Sequence, residues 1–394
     1  MHATTHYLNR ASRGFILLLA LSVAVSFACA QSYTAVDLGA FIPTAINDAG
    51  TVVGDNNSSG NAFAYSNGTL TNLGLGQAFS INDAGTIAGS YNGVASTYSN
   101  GTWAQLGVSS GTASGINNTD TVVGKAATGK VSYFGFSENH AFSYSNGIMT
   151  DLGTLGGTDS SAYAININGT IVGSSYTNGY QEPDHAFSYS NGHMTDLGTL
   201  GGSYSYAYGI NNAGTIAGEA YTAYDLAYHA FSYSNGIMTD LGTLGGNYSL
   251  AHGINNSSTI VGEAAGGNGY RAFVDSNGIM TDLNTVLHND LGGAVLIDAD
   301  GINDLGQIVA FGVDGGSYQA YLLTPNSGPP VLQTSIPEPS TCAALLGAAA
   351  LGFATLRRKQ MRSRSSIRHR SEVEIVTEKA NDRGQVSVFR HPAS

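Results

Sequence analysis

Three sets of side chains in this 394-residue chain could carry chemistry, and each sits at a fixed place in a repeated phrase. His140, His185 and His229 each open a run H-A-F-S-Y-S-N-G, and imidazoles at regular spacing could form a metal ring if all faced one axis. Asn61, Arg271 and Gln319 hold the same place in other copies, so the histidine is replaceable and the ring is disfavoured. Glu219 and Glu263 follow I-A-G and I-V-G in successive copies, where a carboxylate pair could cleave a glycosidic bond and where solvated loop acids would also sit. Asp298, Asp300, Asn303 and Asp304 gather hard oxygen donors around Gly301, which suits calcium, although the spacing matches no complete calcium-loop signature and Ile302-Asn303 already belongs to the repeat. No H-E-x-x-H or P-loop occurs. Cys29 and Cys342 both lie outside the repeats, which excludes a cysteine nucleophile or thiolate metal site within them. The chain therefore offers no catalytic set and no cofactor, with calcium as the one alternative.

Aromatic side chains supply the other candidate chemistry. Tyr133, Phe134 and Phe136, then Tyr176 and Tyr180, then Tyr221, Tyr224 and Tyr228 lie in three successive segments between an I-V-G-like strand and an H-A-F-like strand. Brought to one rim, flat rings beside acidic acceptors suit sugar faces or a protein surface; the plainer alternative is that the tyrosines pack over strand edges.

The elements that must position these residues follow from the repeat. The I-N-x-x-G phrase recurs with its Ile at 46, 81, 116, 165, 210, 254 and 302, at spacings of 35, 35, 49, 45, 44 and 48. Such periods match propeller blades of three or four strands, and no segment shows a sustained helical period. D-L-G-like strands end at Gly39, Gly74, Gly107, Gly153, Gly198, Gly242 and, as D-L-N, Asn284. Residues 31–325 open on such a strand and close on an H-A-F-type strand, so the two ends together complete one unit and remove two exposed edges. The expected fold is all-β, a seven-bladed β-propeller closed by N- and C-terminal strands, with an open β-solenoid of seven repeats as the alternative. Within a unit, Phe187 and Tyr189 fall on one face and Ala186, Ser188 and Ser190 on the other, as stacked sheets require. The pairs Gly156-Gly157, Gly201-Gly202 and Gly245-Gly246 predict tight turns or close backbone approach.

Charge divides the chain. Residues 31–336 carry 22 acidic residues against Lys125, Lys130 and Arg271, leaving 19 negative charges, whereas residues 357–394 carry ten Lys or Arg against four acids. An acidic body repels nucleic acid and anionic lipid, which leaves neutral glycans, cations or basic proteins as partners.

The ends read as sorting segments. Arg10 and Arg13 precede the apolar run Gly14 to Phe27, and Ala28-Cys29-Ala30 supplies the small residues of a cleavage site, so residues 1–30 predict a signal peptide. After a linker at 326–336, Pro337-Glu338-Pro339, the uncharged stretch Ser340 to Leu356 and Arg357-Arg358-Lys359 together resemble the PEP-CTERM sorting signal of Gram-negative bacteria. That resemblance implies an exosortase-type processing protease as partner and a transient inner-membrane helix at 340–356, about 25 Å long at 1.5 Å per residue. Members of that family usually stop soon after the basic cluster, whereas this chain continues through 360–394 as a basic tail expected to be disordered. The H-A-F-S-Y-S-N-G phrase with its D-L-G-T-L-G-G continuation, closest from His140 to Gly262, resembles the HAF repeats of bacterial extracellular proteins, which implies an extracellular location and no particular reaction. The expected function is an exported, non-enzymatic envelope or exopolysaccharide-matrix protein that binds glycan or protein through its loop rim. A glycan-active enzyme using rim carboxylates and a passive structural filler are the alternatives.

Overall fold

A computed structural model describes residues 31–56, 60–131, 135–178, 183–326, 377–380 and 386–389. Ala28, Ala30, Tyr133, Phe134, Tyr180, the linker beyond Asn326 and the whole 337–359 segment lie outside the described residues. The chain divides into two units, Ala30–Pro330 and a second drawn from both ends. In the second, within the basic tail, Thr377–Ala380 pairs antiparallel with Val386–Phe389. Among the described residues no helix is long and apolar enough to cross a membrane.

The larger unit is built from one local design, seen clearly in its fourth copy. Ser160–Ile165, Ile171–Tyr176, Asp184–Ser190 and His193–Asp196 pair in that order as an antiparallel sheet. The I-N-x-x-G phrase is thus a turn between two strands, not one element. Asn166 accepts the Thr170 amide through its side-chain oxygen at 3.0 Å, which closes that turn. Ser190 pairs with His193 across Asn191 and Gly192, whose φ values of +52° and +82° make the two-residue hairpin that only Asn, Asp and Gly form readily. The I-V-G glycine faces the first strand so closely that a β-carbon on Gly173 would collide with the Ser161 carbonyl. Opposite it the register slips between Ala162 and Ala164, leaving Tyr163 as a bulge.

Seven such sheets span 42–75, 77–105, 111–153, 160–196, 201–240, 245–282 and 295–325, the last taking its fourth strand from the other end of the body. Tyr33–Gly39 pairs antiparallel with Ser317–Pro325, with Tyr33 opposite Pro325 and Asp37 opposite Tyr321. The side chain of Asn289 holds the joint from the blade-6 side, accepting the Ala35 amide at 2.9 Å and donating to the Ala35 carbonyl at 3.0 Å. Blades 5 and 6 are further linked by one parallel pair, Tyr228 with Tyr248.

The core lies between blades. Ile165, Ile171 and Phe187 of blade 4 pack against Val123, Ala141 and Leu152 of blade 3, and Phe231 of blade 5 packs in turn on Val172 and Ala186. The large face of each sheet seats on the small face of its neighbour, as the alternation at 186–190 predicts. Phe142, Phe187, Phe231 and Phe273 are at most 2% exposed, each contributing about 1.5–3 kcal/mol of burial. Buried serines stitch the same interface: Ser205 donates to the Gly198 carbonyl at 2.6 Å and accepts the Ala186 amide at 2.8 Å.

Candidate functional site

At one end of the axis the repeated Asn closes the ring. The amide nitrogen of Asn47 donates to the Asn82 carbonyl, Asn82 to Asn117, Asn117 to Asn166, Asn166 to Asn211, Asn211 to Asn255, Asn255 to Asn303, and Asn303 back to Asn47, all at 3.0–3.2 Å. An open solenoid would leave the last link unmade, so the body is a closed seven-bladed propeller. The following residue forms a second run of links, interrupted at Ile167, in which Asp304 donates its amide to Asp48 at 2.9 Å and Asn256 donates to Asp304 at 2.8 Å.

The proposed calcium set is divided by this arrangement. Asn303 and Asp304 are held in the ring and in this second run, whereas Asp298 and Asp300 lie further along the same inner strand, Val295–Ile302, beside His252 of blade 6. The four do not form one ligand set, because the strand is extended and its Asn-ring end turns away at Ile302.

The position two residues before each I-N isoleucine is the bulge of its inner strand: Thr44, Phe79, Ser114, Tyr163, Tyr208, His252 and Asp300. Here the copies disagree, and from blade 4 onward the residues become ionisable. The Tyr208 hydroxyl donates to Glu219 at 3.0 Å, and its ring lies 6.1 Å from that of His252. His252 Nε2 stands 3.2 Å from an Asp298 oxygen, close enough for an ion pair but not aligned for a hydrogen bond. His252, Asp298 and Asp300 each offer a ligand atom within 4.8 Å of the others. Burial pulls the His252 imidazole down, but Asp298 and Asp300 outweigh it and hold the ring up at about 9. Burial, then Asp298, pushes Glu263 up to about 7, and burial raises Glu219 and Asp300 as well. Glu219 and Glu263 therefore belong to this inner cluster and not to the rim where the sequence put them.

The opposite end carries the aromatic residues. Tyr204, Tyr221, Tyr228 and Tyr248 form a continuous row, with centroids 5.3, 5.6 and 4.7 Å apart, crossing from blade 5 to blade 6 at the Tyr228–Tyr248 pair. Tyr224 stands beside them in the short turn Ala223–Asp225, 90% exposed and with φ at +65°. The turn is fixed because the Asp225 carboxylate accepts both the amide and the hydroxyl of Ser203, at 2.6 and 2.9 Å. Burial pushes the Tyr228 hydroxyl up to about 12. Of the predicted rim, Tyr221, Tyr224 and Tyr228 come together, Tyr176 ends the second strand of blade 4, and Phe136 is exposed on blade 3. Tyr204 and Tyr248 complete the row but were not predicted, since they lie beyond the Gly pairs that open the inner strands.

The repeated histidines make scaffold pairs. His140, His185 and His229 each meet the D-L-G aspartate of their own blade, Asp151, Asp196 and Asp240, at 2.8–2.9 Å on the outer strand, and form no ring.

Residues 335–359 match the PEP-CTERM protein-sorting motif. This motif is a substrate signal for exosortase processing, so the chain is an exported protein with a transient membrane anchor. No curated protein sequence is significantly similar to this chain. Among solved structures it is similar to TolB from Acinetobacter baumannii, at 13% identity and a TM-score of 0.41 over 73% of this chain, spanning 65% of TolB's length. It is also similar to the β-propeller domain of the Trilobed protease from Pyrococcus furiosus, at 12% identity and a TM-score of 0.45, over 64% of this chain and 84% of that one. A streptogramin B lyase structure shares 10% identity at a TM-score of 0.48, over 75% of this chain and 98% of the lyase.

Proposed function

We propose that the propeller is a non-enzymatic binding module of the Gram-negative cell envelope or exopolysaccharide matrix, and that it holds a glycan on the tyrosine row of blades 5 and 6. The observation that carries this reading is the unbroken row Tyr204, Tyr221, Tyr228 and Tyr248 with Tyr224 projecting beside it. A non-glycine residue in the left-handed region costs on the order of 1–3 kcal/mol, and holding a 90% exposed ring there is hard to account for by folding alone. Sugar rings stack on such faces through their C–H edges, and the tyrosine hydroxyls and Asp225 supply polar partners at the margin. The strongly acidic body favours a neutral or cationic polymer over an anionic one. The export signal supports an encounter outside the cytoplasm, and the resemblance of H-A-F-S-Y-S-N-G to HAF repeats of extracellular proteins agrees with that reading. Screening the purified protein on an array of neutral, cationic and anionic polysaccharides tests this: selective capture of neutral or amino-sugar polymers is expected, and capture of none would end the proposal.

A further inference from the structure

The inner cluster between blades 6 and 7 has an electrostatic imbalance that the fold does not resolve. His252 comes from Gly245–Ile254, the inner strand of blade 6, and Asp298 and Asp300 from Val295–Ile302, the inner strand of blade 7. Asp298 Oδ1 and Asp300 Oδ2 are buried with no hydrogen-bond partner, and His252 Nε2 is buried against Asp298 Oδ2 at 3.2 Å. The His252 and Asp298 side chains are 27% and 19% exposed, so the exposed area belongs to their other atoms and the buried ones turn inward. Buried carboxylate oxygens without donors are costly, and native interiors satisfy nearly all of them. One imidazolium facing two carboxylates leaves a negative charge over, and no Lys or Arg supplies the balance. The propeller has three Lys or Arg, of which Arg271 faces Asp282 at 3.9 Å and Lys125 and Lys130 belong to blade 3. Glu263 adds further negative potential to Asp300.

We infer that His252, Asp298 and Asp300 form a divalent-cation site that bridges blades 6 and 7, selective for a first-row transition ion over calcium. One imidazole nitrogen and two carboxylates on rigid neighbouring strands match the three-ligand N,O,O sets that bind zinc and its neighbours. Calcium takes six to eight oxygens and gains little from an imidazole. Two of the three ligands, His252 and Asp300, are the same bulge residue in adjacent blades and Asp298 lies two residues before the second, so the site arises from the repeat without a dedicated loop. It lies on the inner strands of blades 6 and 7 and stands independently of glycan binding at the rim.

Metal-stripped full-length protein titrated with Zn2+ by calorimetry, and with Co2+ by visible absorption, tests the site. The expected result is one Zn2+ per chain, bound about 100-fold more tightly than Ca2+, and a visible Co2+ band from nitrogen and oxygen ligands. His252→Gln and Asp300→Asn should each weaken Zn2+ about 100-fold or more. Asp300→Asn keeps the side-chain shape while removing a buried charge, so its metal-free form should melt no lower than the parent, which separates lost ligation from lost folding. Absence of stoichiometric Zn2+ binding, undiminished affinity in either variant, or tighter binding of Ca2+ than Zn2+ would each overturn the assignment.

Discussion

Asn211 and its counterparts in the other blades use both ends of one side chain: the oxygen closes a local turn onto Thr215 at 2.9 Å, and the nitrogen donates to the next blade at 3.2 Å. Asn211→Ala should cost about 1–3 kcal/mol, because it orphans a buried carbonyl and a buried amide together; urea unfolding that shows no change would argue against the ring as a structural link. Asp184 gives a pH test. Burial, then repulsion from Asp159, pushes its carboxyl from 3.8 up to about 6. The folded protein therefore holds a proton that the unfolded chain releases, so stability is fully present below pH 4 and falls as pH rises through 6. Asp184→Asn should flatten that slope in melting temperature between pH 4 and 6 and raise stability at pH 7; an unaltered slope would refute the assignment. At this scale the sequence showed the Asn as shared scaffold and the histidine as replaceable, but it hid His252, Tyr208 and Asp300 as a set. They sit at bulges, which break the two-residue alternation from which facing is read. Comparing the copies at two residues before each isoleucine would have exposed them, since that position runs from Thr44 to Tyr208, His252 and Asp300.

At the level of the blade, stability resides in the contact between sheets more than within any one sheet. Phe187→Ala should cost about 3–5 kcal/mol, since it opens a cavity against Val123 and Ala141 that flat strands cannot collapse into. The check is the denaturant midpoint compared with Tyr189→Ala, whose ring is only partly buried and which should cost less. Equal losses would mean that the large-on-small face does not set the packing. This alternation was legible because H-A-F-S-Y places aromatic and small residues strictly out of phase. The row Tyr204 to Tyr248 was half legible for a different reason: two of its rings come from strand openings of separate blades, and only blade adjacency brings them beside Tyr221 and Tyr228.

For the molecule as a whole, closure depends on Tyr33–Gly39, a strand nearly three hundred residues from the edge it covers. Deleting residues 33–39 should expose the edge of Ser317–Pro325 and uncover Tyr321 and Leu323. The expected outcome is a melting temperature lower by about 10 °C or more and edge-to-edge oligomers on size-exclusion chromatography, reversed by adding the strand as a peptide. An undisturbed monomer would contradict closure. Counting strand types at the two ends was enough to foresee this joint, because a missing outer strand at one terminus and a surplus one at the other admit few other arrangements. Function is the part that the repeat obscures, since seven similar units conceal the blades that differ. The most direct test is calorimetric titration of the exported protein with oligosaccharides from the matrix of the cells that make it, beside Tyr224→Ala and Tyr228→Ala. Micromolar binding by the parent that weakens about tenfold or more in each variant is predicted; no binding, or equal binding by all three proteins, would contradict the glycan-holding rim.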